Sequence, residues 1–200
     1  GAYAVPVFTA ALFLSAFLLF AVQPMFTKMV LPKLGGTPGV WSVAMVFFQA
    51  VLLVGYAYAH FLSSRLGPRR AALVHIALMG IVLATALPIA LSPAISRPPA
   101  DGEALWLIGV FAVSVGLPFF ALSANGPLLQ AWFARTGHPH AQDPYFLYGA
   151  SNIGSLLALL AYPVLIEPLM PLGAQSRAWT WGFALLVAGI AGAAAFAVEG

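Results

Sequence analysis

Long apolar runs, separated by short clusters of glycine, proline and charge, dominate the chain. Six runs are long enough for an α-helix to cross a bilayer, which takes about 20 mostly apolar residues. They cover residues 5–28, 39–63, 71–91, 104–124, 145–166 and 178–198. Apolar residues follow one another in these runs without the alternation of period two that barrel strands show, so helices are expected. The predicted fold is all-α: a polytopic transmembrane bundle of about six spanning helices, forming a single domain over residues 1–200.

The breaks agree with this division. Pro32 to Pro38, with Gly35 and Gly36, closes the first run. Leu66-Gly67-Pro68-Arg69-Arg70 closes the second, and Ser92 to Glu103, with Pro93, Pro98 and Pro99, closes the third. Trp41, Trp106, Trp179 and Trp181 fall at the starts of runs, where interfacial aromatics are expected. With an even number of crossings both termini share one side, together with Arg65, Arg69, Arg70 and Arg135. The opposite side holds Lys28, Lys33, Arg97 and Arg177. Arg65, Arg69 and Arg70 form the only basic cluster, which places that side, and both termini, in the cytoplasm.

Composition strengthens the membrane reading. The residues are 62% hydrophobic and only 6% charged, whereas a soluble domain carries about 25% charged residues. The net charge of +3 comes from scattered residues between the runs, so no nucleic-acid surface is implied. Without cysteine there are no disulfides, thiolate nucleophiles or thiolate metal sites. The chain opens on Gly1 with no basic segment before its first apolar run, so no cleaved signal peptide is evident. Both ends look trimmed, and a longer protein is expected.

A few polar residues interrupt the apolar runs. In "FAVQPMFTKMVLPKLGG", residues 20–36, Pro24 removes a backbone donor, and Gln23 is expected to satisfy the carbonyl four residues before the proline. Lys28 lies about one turn past the hydrocarbon edge, where a lysine can snorkel to the headgroups. The alternative is that Lys28 faces a water-filled cavity and binds an anionic or carbonyl group. In the second run Trp41, Met45, Gln49, Leu52, Tyr56 and His60 share one face. Gln49, near mid-bilayer, is expected to hydrogen-bond a neighbouring helix, with ligand contact as the alternative. His75 reads as an interfacial or packed histidine rather than a proton relay.

"LSANGPLLQAWFAR", residues 122–135, predicts a helix end, with Asn125 and Gly126 as cap and Pro127 opening a new turn. A second reading makes that turn an anion-binding helix N-terminus of the kind transporters use. In the fifth run Ala150 with Gly154, and Ser151 with Ser155, predict close helix packing, with Asn152 as polar glue. Gly189 and Ala193 repeat that pattern in the sixth run. His138-Pro139-His140 beside Asp143 is too sparse to predict a metal site, and no cofactor is expected.

The five acids, Asp101, Glu103, Asp143, Glu167 and Glu199, fall in loops or at segment ends. A path for a polycation would need negative charge at mid-depth. There is no phosphate loop, nucleophile–base pair or carboxylate pair, so the chain alone is not expected to be an enzyme.

Three stretches resemble the membrane half of fused major-facilitator/spermidine-synthase-like bacterial proteins. They are "LFAVQPMFTKMVLPKLGGTPGVWSVAMVFFQAVLLVGYAYAH", "GLPFFALSANGPLLQAWFA" and "DPYFLYGASNIGSLLALLAYPVLIEP". The resemblance implies a multi-spanning domain in a bacterial inner membrane, often joined to a cytoplasmic domain similar to polyamine aminopropyltransferases. It also favours Gln23, Lys28, Gln49, Asn125 and Asn152 as one inter-helix polar or ligand-binding cluster. The functional expectation is a non-catalytic anchor, scaffold or accessory subunit. Its partners would be the lipid bilayer and other membrane subunits or a synthase-like domain. The alternatives are a carrier for a small anionic, neutral or lipid-like ligand, and the membrane part of a polyamine transferase.

Overall fold

The computed structural model describes residues 2–34, 38–91 and 97–199. The Gly35-Gly36 turn and the Ser92-to-Ser96 part of the third connection lie outside these residues. The rest is an all-α bundle of six helices, each long and apolar enough to cross a membrane. They are α1 (Ala4–Val30, prolonged by the 3-10 turn Leu31–Leu34), α2 (Pro38–Arg65), α3 (Pro68–Thr85), α4 (Glu103–Phe133), α5 (Tyr145–Leu169) and α6 (Leu172–Glu199). The protein is a multi-pass helical membrane protein.

Helix α1 forms the centre and packs against α4, α5 and α6, while α2 packs on α4 and α3 on α4 and α6. Lipid tails are as apolar as leucine, so close fit and hydrogen bonds, rather than exclusion of water, hold such helices together. Fit is tightest at two glycines. A Cβ on Gly154 of α5 would lie 2.4 Å from the Phe13 carbonyl oxygen of α1, and one on Gly55 of α2 would lie 2.4 Å from the Ser123 Cβ of α4. On the other flank of α1, Gly182 and Gly189 of α6 face Leu18 and Ala11. Edge-to-face rings fill the space between α1 and α4: Phe8 on Phe133 at 5.3 Å and Phe26 on Phe111 at 4.9 Å.

Prolines set several boundaries. Helix α3 stops at Thr85, short of the expected residue 91, because Pro88 disfavours helical backbone before it. In α4 and α5 the chain instead continues past its prolines. Wide π turns at Ala112–Gly116 and Tyr162–Ile166 lie beside Pro118 and around Pro163, where the missing N–H would interrupt a tighter ladder.

The helix end expected at Asn125-Gly126-Pro127 is not there. The α-helix Leu117–Phe133 passes through it with Pro127 inside, so α4 extends to Phe133 and no second N-terminus exists for an anion. Trp179 also departs from expectation. It is buried, and its indole N–H donates to the Leu18 carbonyl at 2.9 Å, whereas Trp181 is 78% exposed. Helix α6 begins at Leu172 rather than 178, which places Trp179 about two turns into the helix instead of at the interface.

Candidate functional site

A groove runs between α2 and α5, with α1 and α4 as its floor. The sequence draws both walls. On α2 the stripe Trp41, Met45, Gln49, Leu52 and Tyr56 follows the groove. On α5, Ser151, Ser155 and Leu159 line it, and the exposed Tyr148 and Asn152 stand on the same flank by helical spacing. The opposite flank of α5 is apolar, with Ile153, Leu157, Leu160 and Val164 all exposed. Polar and aromatic residues therefore gather on one side of the helix.

At the end of the groove nearest Lys28 lies a cavity of about 470 Å³. It is bounded by Phe20 to Lys28 of α1, Trp41 to Gln49 of α2 and Leu159 to Glu167 of α5. Each wall is about 12 Å of helix rise. Lys28 does not simply snorkel. It forms an ion pair with Glu167 Oε1 and stands 5.9 Å from the centre of the Tyr162 ring. The pair remains accessible, with the two side chains 28% and 41% exposed. Behind it the Tyr162 hydroxyl donates to Gln175 Oε1 at 2.9 Å, and Gln175 Nε2 donates to the Met170 carbonyl at 2.9 Å. These bonds tie the end of α5 to the start of α6.

Gln23 lines the same cavity, and its Nε2 donates to the Leu19 carbonyl at 3.1 Å. The expected target was the Phe20 carbonyl, which Pro24 leaves without its helical donor. The side chain reaches one residue further because helical side chains lean towards the N-terminus over their own i−4 carbonyl. Gln49 is exposed and has no hydrogen-bond partner among the described residues.

Deeper in the groove a second cavity, about 110 Å³, is lined by the hydroxyl-bearing Ser15, Ser123, Ser151, Ser155 and Tyr56. Ser15 is also the end of a buried chain that links four helices. Tyr58 O–H of α2 donates to His75 Nδ1 of α3 at 3.2 Å, and His75 Nε2–H donates to Asn125 Oδ1 of α4 at 2.6 Å. Asn125 Nδ2–H then donates to Ser15 Oγ of α1 at 3.1 Å. Asn125 Oδ1 can only accept, so the neutral imidazole with its proton on Nε2 satisfies every member. His75 and Asn125 are both 0% exposed, as packed, hydrogen-bonded groups should be.

The five residues expected to cluster therefore separate. Gln23, Lys28 and Gln49 meet at the larger cavity, whereas Asn125 belongs to the buried chain. Asn152 is exposed and makes no inter-helix bond among the described residues, so it glues nothing within the chain. It points away because Ala150, Gly154 and Ala158 occupy the face of α5 that meets α1. Sequence reasoning missed Glu167 as the partner of Lys28, because a helix ending at 166 excludes it. It also missed Ser15, a lone hydroxyl in an apolar run, and Tyr58, which helical spacing places on the side of α2 away from Tyr56 and His60. His138 Nδ1 accepts the His140 backbone N–H at 3.1 Å, and no group of three potential metal ligands occurs among the described residues.

Fold and groove together define a polytopic helical membrane protein with a polar flank on one of its spanning helices. The chain matches no family model, no curated protein and no solved structure.

Proposed function

We propose that the chain is a non-catalytic scaffold or accessory subunit whose groove face packs against another membrane protein. One observation carries the reading: the α2 stripe and the polar flank of α5 present the amides of Gln49 and Asn152 outward, without a partner among the described residues, from helices whose remaining exposed surface is mostly apolar. An amide left in hydrocarbon loses several kcal/mol of hydration, roughly 4–8 on an alkane reference. A neighbouring helix with its own polar groups removes that penalty. The bacterial inner membrane is the host, with both termini and the Arg65-Arg69-Arg70 cluster in the cytoplasm. A synthase-like domain held at that cytoplasmic face is the partner that the family resemblance implies.

The cavity beside Lys28 favours a second reading, a carrier for a small anionic, neutral or lipid-like ligand. Its support is weaker, because Glu167 already neutralises the lysine.

The absence of cysteine gives a clean test. Single cysteines at Gln49 and Asn152, and at Ile153 and Leu160 on the apolar flank, are coupled to a thiol-directed photocrosslinker in native membranes. The groove positions should give one discrete adduct with another membrane protein, and the apolar flank none. A chain that gives no adduct from either flank and stays a lone monomer in mild detergent removes the scaffold reading.

A further inference from the structure

We propose that the 470 Å³ cavity binds the headgroup of an aminophospholipid, a zwitterion with a phosphate and a primary ammonium. The inference rests on the second, ligand-binding reading of this cavity and names its ligand; Gln49 then meets the lipid, and the Asn152 flank beyond Leu52 and Ser155 is what stays open for a protein neighbour.

Depth is the first argument. Lys28 follows the roughly 20 apolar residues with which α1 spans the hydrocarbon, Trp41 opens α2, and Glu167 lies in the last turn of α5. All three stand at the same end of the bundle, at the level where interfacial tryptophans and headgroups meet. The cavity therefore begins among headgroups and descends between apolar walls.

Charge chooses the headgroup. A lysine ammonium has three donors, and Glu167 Oε1 takes one from Lys28, while Oε2 has no partner among the described residues. A phosphate oxygen can accept a second N–H from Lys28 as the ligand's ammonium donates to Glu167 Oε2. A purely anionic headgroup gains Lys28 but meets Glu167. A phosphocholine has no N–H to donate, and the Tyr162 ring that could hold its quaternary ammonium already faces Lys28.

The lower part of the cavity fits the remainder of a lipid. Gln49 presents an unpartnered amide N–H to an ester carbonyl, and Phe20, Phe48 and Leu159 face the acyl chains. The volume falls in the range of about 300–1,000 Å³ typical of small-ligand sites, enough for headgroup and glycerol, with the chains leaving into the bilayer.

The test is native mass spectrometry of the full chain released from micelles holding equal amounts of phosphatidylethanolamine, phosphatidylcholine and phosphatidylglycerol with identical acyl chains. One phosphatidylethanolamine per chain should be retained, about tenfold or more over each competitor, the effect of one hydrogen bond to a charged group. Lys28→Gln with Glu167→Gln, whose paired amides keep a hydrogen bond, should level the three lipids. Gln49→Leu, at an exposed position without a partner among the described residues, should weaken retention and keep the order of preference. Equal retention by the natural chain, a preference for phosphatidylglycerol, or an unchanged preference in the charge-neutral variant would overturn the assignment. Should that variant fail to fold, unchanged retention by Gln49→Leu overturns it instead. A disulfide dimer through Gln49→Cys that excludes lipid would give the cavity to a second copy.

Discussion

Gly154 of α5 rests on the backbone carbonyl of Phe13 in α1, so closely that a Cβ would lie 2.4 Å from the oxygen. A backbone atom inside a helix cannot turn aside as a side chain can. Gly154→Ala should therefore push the two helices apart and lower stability by about 1–3 kcal/mol, the usual range for overpacking. Gly80→Ala is the control. Nothing lies within 4 Å of its Cβ, so the exchange should be neutral or stabilise by about 0.4–1 kcal/mol through lost chain entropy. Thermal unfolding in mild detergent separates the two, and equal melting temperatures would contradict the close approach.

Asn125 joins α4 to two other helices, donating to Ser15 and accepting from His75. Asn125→Leu leaves the His75 Nε2–H buried without an acceptor and should destabilise by about 1–3 kcal/mol. Ser15→Ala likewise leaves a buried donor, Asn125 Nδ2–H, without its acceptor and should also destabilise by about 1–3 kcal/mol. His75→Phe added to Asn125→Leu removes the orphaned donor, so the double variant should melt above the Asn125→Leu single variant. Strict additivity would show that the two side chains are not coupled.

The Lys28–Glu167 pair lies in a partly exposed site, and such pairs contribute only about 0.2–1 kcal/mol. Glu167→Gln should therefore lower the melting temperature slightly. Glu167→Lys should lower it further, by setting two ammonium groups against each other. Exchanging both residues, Lys28→Glu with Glu167→Lys, should recover most of that loss. Salt at 1 M, where the Debye length is about 3 Å, should shrink all these differences. A melting order indifferent to the exchange would mean that the charges do not sense each other in the membrane.

How far the sequence discloses this arrangement depends on the range of each signal. The α2 stripe was legible because helical spacing alone puts Trp41, Gln49 and Tyr56 on one face, and the groove follows it. Likewise Ala150 and Gly154 announced close packing, as small residues at spacing four do between membrane helices, but Ser151 and Ser155, paired by the same rule, line the groove instead. Other features depended on partners far along the chain. Nothing near Lys28 signals a glutamate 139 positions later, and nothing near His75 signals an asparagine 50 positions later. Pro127 misled for a local reason. In water Asn-Gly-Pro usually ends a helix, but lipid penalises an open backbone so heavily that α4 retains the proline and accepts one lost hydrogen bond. Asn152 was expected to be polar glue between helices, but the small residues Ala150, Gly154 and Ala158 take the face of α5 that meets α1 and leave Asn152 exposed.

Trp179 and Trp181 stand two positions apart on α6 and meet different surroundings, which intrinsic fluorescence can report. The Trp179 indole donates to the Leu18 carbonyl inside the bundle, whereas Trp181 projects outward from the helix. In bilayers containing brominated lipid, Trp181→Phe should remove a strongly quenched component. Trp179→Phe should remove one that neither brominated lipid nor aqueous acrylamide reaches. The stability effects should also differ. Trp179→Phe loses a buried hydrogen bond and leaves a gap beside Leu18, so a loss of about 0.5–1.5 kcal/mol or more is expected. Trp181→Phe gives up a surface contact and should stay within about 0.5 kcal/mol. If Trp179 were quenched as readily as Trp181, the contact between α6 and α1 would be open to lipid. The central place of α1 in the bundle would then fail with it.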